Sequence, residues 1–101
     1  MVVVNAVIES TEADILALTE ALGAMEVASR EEEGCEDYTF SVEVSNPSII
    51  RITERWTTLD ALKAHFQVEH MAAFQAAIAA HPPKSLDVKF FEAEEIPSPF
   101  G

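Results

Sequence analysis

The stretch ITERWTTLDALKAHFQVEHMAAF, from Ile52 to Phe74, holds the only tryptophan of the chain, Trp56, and two of its three histidines, His65 and His70. An imidazole titrates at ~6.5 when unperturbed and so can move a proton near neutral pH. An indole supplies a flat apolar face and one N–H donor. Phe66 adds a second flat face in the same stretch. Glu54, in the same stretch, adds a carboxylate, and Asn5 and Tyr38 add an amide and a phenol from elsewhere in the chain. Together these groups offer apolar surface, hydrogen-bond donors and groups able to move a proton.

Each residue also has a structural reading. On an unbroken helix His70 shares an apolar arc with Leu59, Leu62, Phe66 and Phe74, where a histidine often serves as a hydrogen-bonded core residue. His65 lies toward the edge of that arc, so His70 is the expected base and His65 the second candidate. A break near Gln67–Glu69 would reorient the two. His81 precedes two prolines and reads as a surface residue. Glu54 shares a strand face with Ile50, Ile52 and Trp56, and a carboxylate there needs a partner or a raised pKa. Arg51 and Arg55 project from the opposite face, toward solvent or a second subunit. Asparagine is uncommon in strands, which draws attention to Asn5.

The elements that must position these groups follow from periodicity. Residues 2–9, VVVNAVIE, read as a strand. Thr11 followed three residues later by Asp14 resembles a capping box, and Ile15, Leu18, Leu22 and Met25 then recur on one helical face to about Glu32. Gly34 suits the left-handed position past the helix end. Residues 36–45 alternate, with Tyr38, Phe40, Val42 and Val44 on one face. Asn46-Pro47-Ser48 reads as a turn, and Ile49–Trp56 as the returning strand of a hairpin. One helix is expected from Thr57 or Thr58 to His81, then a last strand over about Ser85–Ala93. The order βαββαβ in a single domain over residues 1–101 describes a ferredoxin-like sandwich, with both helices on one face of a four-stranded antiparallel sheet. Val2-Val3-Val4, Ile49-Ile50 and Phe90-Phe91 put bulk on both faces of that sheet, so a homodimer through the sheet faces is expected.

Composition removes other classes. The 101 residues carry 18 acidic and 6 basic side chains, a net charge of −12, which repels phosphate backbones and argues against nucleic acid as a partner. The runs Glu31-Glu32-Glu33 and Glu94-Glu95 read as solvated surface. No apolar run approaches the ~20 residues of a membrane span. The N-terminal apolar run lacks a basic flank and is interrupted by Asn5, so it reads as a strand rather than a signal peptide. A single cysteine, Cys35, fits a reducing cytoplasm and reads as a half-buried thiol. With three glycines there is no phosphate loop for flavin or nicotinamide. The five-residue histidine spacing is not the i, i+4 pair of a helical metal site, and no Cys or Asp cluster supports one, so neither metal nor cofactor is expected.

The succession EEEGCEDY, a hairpin, ERW, and then L-x-x-H-x-x-x-x-H-x-x-x-F resembles the antibiotic biosynthesis monooxygenase family from Val2 to about Phe91. The resemblance implies a small ferredoxin-like protein that pairs sheets into a dimeric α/β barrel. It also implies a cofactor-free oxygenase whose electron-rich substrate, a quinol or anthrone, passes an electron to O2 once deprotonated. Haem degradation is an alternative, with Asn5, Trp56 and His65 or His70 as the matching residues, although few cations lie near the site to meet the propionates. A non-catalytic dimer that binds a small ligand is a third.

Overall fold

The computed structural model describes all 101 residues. Strand β1 (Val2–Glu9), helix α1 (Glu12–Arg30), strands β2 (Cys35–Glu43) and β3 (Asn46–Trp56), helices α2 (Leu59–His65) and α3 (Glu69–Ala80), and strand β4 (Ser85–Glu92) follow in order. The four strands form one antiparallel sheet in the order β2-β3-β1-β4. This is the ferredoxin-like α+β sandwich. No helix is long and apolar enough to cross a membrane.

Helix α1 begins where its cap residue predicts. The Asp14 amide donates to Thr11 Oγ1 at 3.1 Å, which satisfies one of the orphan donors of the first turn. Ile15, Leu18, Leu22 and Met25 are all buried. The helix stops at Arg30, two residues short of the expected end, and residues 31–34 turn back toward the sheet. Gly34 makes that turn possible. Its φ is +83°, and a Cβ there would lie 2.6 Å from Ala61 Cβ and 2.8 Å from Thr57 Oγ1. Both the backbone conformation and the close approach of α2 therefore require glycine.

The hairpin between β2 and β3 turns at Val44-Ser45, not at Asn46-Pro47-Ser48. Pairing passes from Val42↔Ile50 to Glu43↔Asn46, so Pro47 and Ser48 fall in an irregularity at the start of β3. Proline is tolerated there because no ladder bond is asked of it.

The second helical region departs most from expectation. A single helix does not run from Leu59 to Ala80. The chain leaves α2 through short i to i−3 bonds, Phe66 N–H to Lys63 O and Gln67 N–H to Ala64 O, and restarts at Glu69 after Val68 in an extended conformation. The break falls between the two histidines.

Even-numbered residues of β1 face the helices. Ala6, Ile8, Ile50 and Ile52 meet Ile15, Leu18 and Leu22 in one cluster, and Val2, Val4, Tyr38, Trp56, Met25 and Leu62 form the other. Helix α1 packs over β2 and β3 and against α3. The inner residues of β4 are left uncovered, with Leu86, Val88 and Phe90 exposed. The opposite sheet face pairs Val3 with Phe91, Asn5 with Lys89 and Thr53, and Thr39 with Thr53. That face is a mixture of apolar and polar side chains rather than the second apolar layer implied by the valine and phenylalanine runs.

Candidate functional site

Two polar features sit among these apolar clusters. The first is Glu54 in β3. Strand alternation puts it on the helix-facing side, between Val4 of β1 and Tyr38 of β2. It is 8% exposed. Trp56, two residues along the same strand and so on the same face, donates its indole N–H to Glu54 Oε1 at 2.9 Å. The other carboxylate oxygen takes no hydrogen bond from the protein. Burial pushes the carboxyl up to about 7, the indole bond opposes this, and the nearby Glu32 charge adds to it.

Glu54 and Tyr38 line a cavity of about 410 Å³ between the sheet and the helices. Of its 21 lining residues 17 are hydrophobic, among them Phe66, Met71, Phe74, Ile78 and Phe90. The volume lies within the usual range for small-molecule sites. The uncovered inner face of β4 forms one wall, and this is where the layers part. Tyr38 is 2% exposed, and burial together with the Glu54 and Glu32 charges pushes its hydroxyl far above its ordinary value. It therefore stays a phenol, able to donate a hydrogen bond. Cys35, opposite Trp56 across the hairpin, is pushed up to about 11 by burial and by Glu32 and Glu54. A thiol so raised is no nucleophile at neutral pH.

The second feature is a triad. His65 Nδ1 and His70 Nε2 each lie 2.7 Å from the same oxygen, Glu32 Oε2. A carboxylate only accepts, so each ring carries its proton on the nitrogen that faces Glu32. Residues five apart on one helix would point about 140° away from each other. They converge here because α2 ends and α3 begins between them. The same break reverses the expected burial: the His65 side chain is 1% exposed and that of His70 29%. His65 packs against Trp56 and Tyr38 with ring centroids 4.8 and 5.3 Å apart, and its Nε2 is buried without a partner.

The structure thus brings Glu54, Tyr38 and Phe66 to the cavity, with Trp56 behind Glu54. It places neither His65 nor His70 in the cavity wall. Their expected place rested on a continuous helix, and the break turns both toward Glu32. Asn5 is exposed on the other sheet face. It lies on an odd position of β1, whereas the cavity takes the even ones. Asn5, Trp56 and the histidines, the matching set for haem, are therefore not gathered around one space within this chain. His81 is partly exposed at the cavity rim and meets Asp14 at 3.1 Å.

Glu32 was not legible as a site residue. Within an acidic run it has the sequence signature of solvated surface, yet its side chain is 12% exposed and holds two imidazoles. The only local hint is Gly34, whose left-handed turn folds the run back against α2.

The antibiotic biosynthesis monooxygenase family model matches residues 1–77. A crystal structure of a proposed antibiotic biosynthesis monooxygenase from Deinococcus radiodurans is similar over 100% of both chains, at 26% identity and a TM-score of 0.89. Rv0793 of Mycobacterium tuberculosis shares the fold at 23% identity and a TM-score of 0.82, with 96% of this chain and 98% of that one covered. A further structure of an antibiotic biosynthesis monooxygenase does so at 23% identity and 0.83, covering 94% of this chain and 100% of that one. No protein of curated function matches in sequence.

Proposed function

Because the chain belongs to the antibiotic biosynthesis monooxygenase family, we propose that it is a cofactor-independent oxygenase of a small aromatic quinol or anthrone, with Glu54 as the base. The single observation that carries this reading is the free oxygen of Glu54, held in an apolar cavity with its carboxyl raised to about 7. A base poised near the working pH balances availability against driving force. Burial makes the carboxylate a stronger base than it is in water, and the indole N–H on Oε1 leaves Oε2 to face the substrate.

The charge balance favours the step. When Glu54 takes a proton from the acidic C–H or O–H of the substrate, the negative charge moves from carboxylate to substrate and the cavity gains none. The new Glu54 O–H and the Tyr38 phenol can then donate to the aromatic oxyanion. For an anthrone, the carbanion gives one electron to O2, and the resulting radical pair combines to a peroxide. The peroxide anion takes back the proton held by Glu54, which restores the base, and loss of water from the hydroperoxide leaves a carbonyl, so one oxygen atom ends in product and the other in water. The walls Phe66, Phe74 and Phe90 supply flat apolar contact for the rings.

The proposal includes a homodimer through the open sheet face, where Val3 and Phe91 are cross-strand partners and Phe91 is 47% exposed. Sedimentation should give twice the chain mass, and Phe91→Glu should give monomer or aggregate. A folded wild-type monomer at micromolar concentration refutes the dimer.

The function is tested by oxygen uptake with a panel of quinols and anthrones in the presence of chelator. Turnover should persist in chelator and collapse in Glu54→Gln. Full turnover in Glu54→Gln would remove the assignment. Uptake that returns only with added iron or flavin would remove cofactor independence. A Soret band with breakdown of added haem would favour the alternative.

A further inference from the structure

We propose that Glu32, His65 and His70 form a binding site for one divalent transition-metal ion of the zinc class, separate from the cavity and from the oxygenase reading. The three come from the turn after α1, the last residue of α2 and the first turn of α3. Their ligand atoms, Glu32 Oε2, His65 Nδ1 and His70 Nε2, all lie within 4.8 Å of one another. Two imidazoles and a carboxylate make a donor set that suits zinc and its neighbours and leaves room for water or another ligand. The open side is that of His70, which is the more exposed ring.

The adjustment from hydrogen-bonded triad to metal site is small. Bonds of ~2.0–2.1 Å in a tetrahedron put ligand atoms about 3.3 Å apart. The two N···O separations of 2.7 Å must therefore open by about 0.6 Å, and the two nitrogens must draw together. Both rings must also move their proton to the far nitrogen. At His65 the Nδ1–H bond to Glu32 gives way to the ion and the proton passes to Nε2, which is buried without a partner, so this ring bears the larger cost of the change. At His70 the far nitrogen belongs to a partly exposed side chain that water can serve.

Electrostatics favours a cation here. Glu32 has no lysine or arginine partner, and its side chain is 12% exposed. The chain as a whole carries −12 and concentrates cations around it. A bound ion would cancel the Glu32 charge and tie the helix break to the end of α1.

Calorimetric titration with Zn2+ alone tests the site, with Co2+ absorption to report ligand geometry. One ion per chain is expected, with visible Co2+ bands and a higher melting temperature on Zn2+ addition. Loss of a partner that merely orients a ligand costs ~10–100-fold in affinity, so loss of a ligand should cost at least that. His70→Gln and Glu32→Gln should each weaken Zn2+ by ~100-fold or more. His65→Gln is omitted because the buried ring also supports the core. His81→Gln, at the other histidine–carboxylate pair, should leave affinity unchanged. Absence of saturable binding overturns the proposal, as does binding that survives both His70→Gln and Glu32→Gln or that vanishes in His81→Gln. Failure of the oxygenase assay would not touch this result, since no step of that reaction passes through the triad.

Discussion

Glu32 and Glu54 are both nearly buried acids, and their surroundings differ in kind. Glu54 lies in a regular strand, receives one neutral N–H from its own strand, and faces an apolar cavity. Glu32 lies in an irregular turn and receives two N–H groups from residues 33 and 38 positions away. A carboxylate with one donor and a free oxygen in apolar surroundings is poised for proton transfer. One whose oxygen already gathers two imidazoles is a structural clasp or a ligand set. The difference shows that burial alone does not make a catalytic acid. What matters is which lone pairs remain free and what faces them.

The largest expected effect separates the two acids by activity. Glu54→Gln keeps an oxygen for the Trp56 N–H and removes the base, so turnover should fall by ~10²–10⁴-fold. His70→Gln should fall far less. Equal losses in both would erase the distinction between cavity and triad.

The second effect is on stability against pH. Folded Glu54 holds its proton to about pH 7, whereas its reference value is 4.5. Between those values the folded chain binds the extra proton, so stability falls as pH rises from about 4.5 through about 7 and then levels. The full span is on the order of 3 kcal/mol. Turnover should rise over the upper part of the same window, because the base must be ionised. Denaturant melts of wild type and Glu54→Gln at pH 5 and 8 check this. The variant should be flatter, and an identical slope in both would assign the effect to other groups.

Gly34→Ala attacks the triad without touching the cavity. A side chain at φ +83° that also meets Ala61 at 2.6 Å should cost about 1–3 kcal/mol. A melting temperature within error of wild type would show that the turn is not constrained as described.

Within the triad, His65→Gln should destabilise by about 1–3 kcal/mol and His70→Gln by about 1 kcal/mol or less. The ring of His65 is fully buried and that of His70 is not. The reverse order, read by chemical denaturation, would restore the unbroken-helix picture.

The smallest effect concerns the indole. Trp56→Phe removes the bond that lowers the Glu54 value, so the activity midpoint should move upward in pH, by less than about one unit. A downward move would mean that the indole is not acting as a donor to Glu54.

Much of this was legible in the sequence because it depends on short-range rules. The order of strands and helices, the Thr11 cap, the buried face of α1 and the αL role of Gly34 follow from spacing and from the chemistry of single residues. Glu54 on the Ile50–Ile52–Trp56 face follows from alternation alone, and its need for a partner or a raised pKa follows from that face. Asn5 was a harder case. Val2, Val3, Val4, Ala6, Val7 and Ile8 are apolar on both parities, and a strand apolar on both faces does not say which face is core. Pairing of β1 with β3 and β4 decides it, and turns Asn5 outward.

Other features belong to the tertiary structure. The continuous apolar pattern from Leu59 to Ile78 is compatible with one helix, and its local bonds would be satisfied that way. The chain breaks at Phe66–Val68 in the folded protein, where His65 meets Trp56, Tyr38 and Glu32 and where His70 meets the same Glu32 oxygen. No window of sequence contains both ends of those contacts. The sequence by itself determined the elements, their phases and the carboxylate on the inner sheet face. Only the tertiary structure decided which acids lose their water and what replaces it, because desolvation and hydrogen-bond partners at a buried carboxylate come from segments that are distant along the chain and adjacent only after folding.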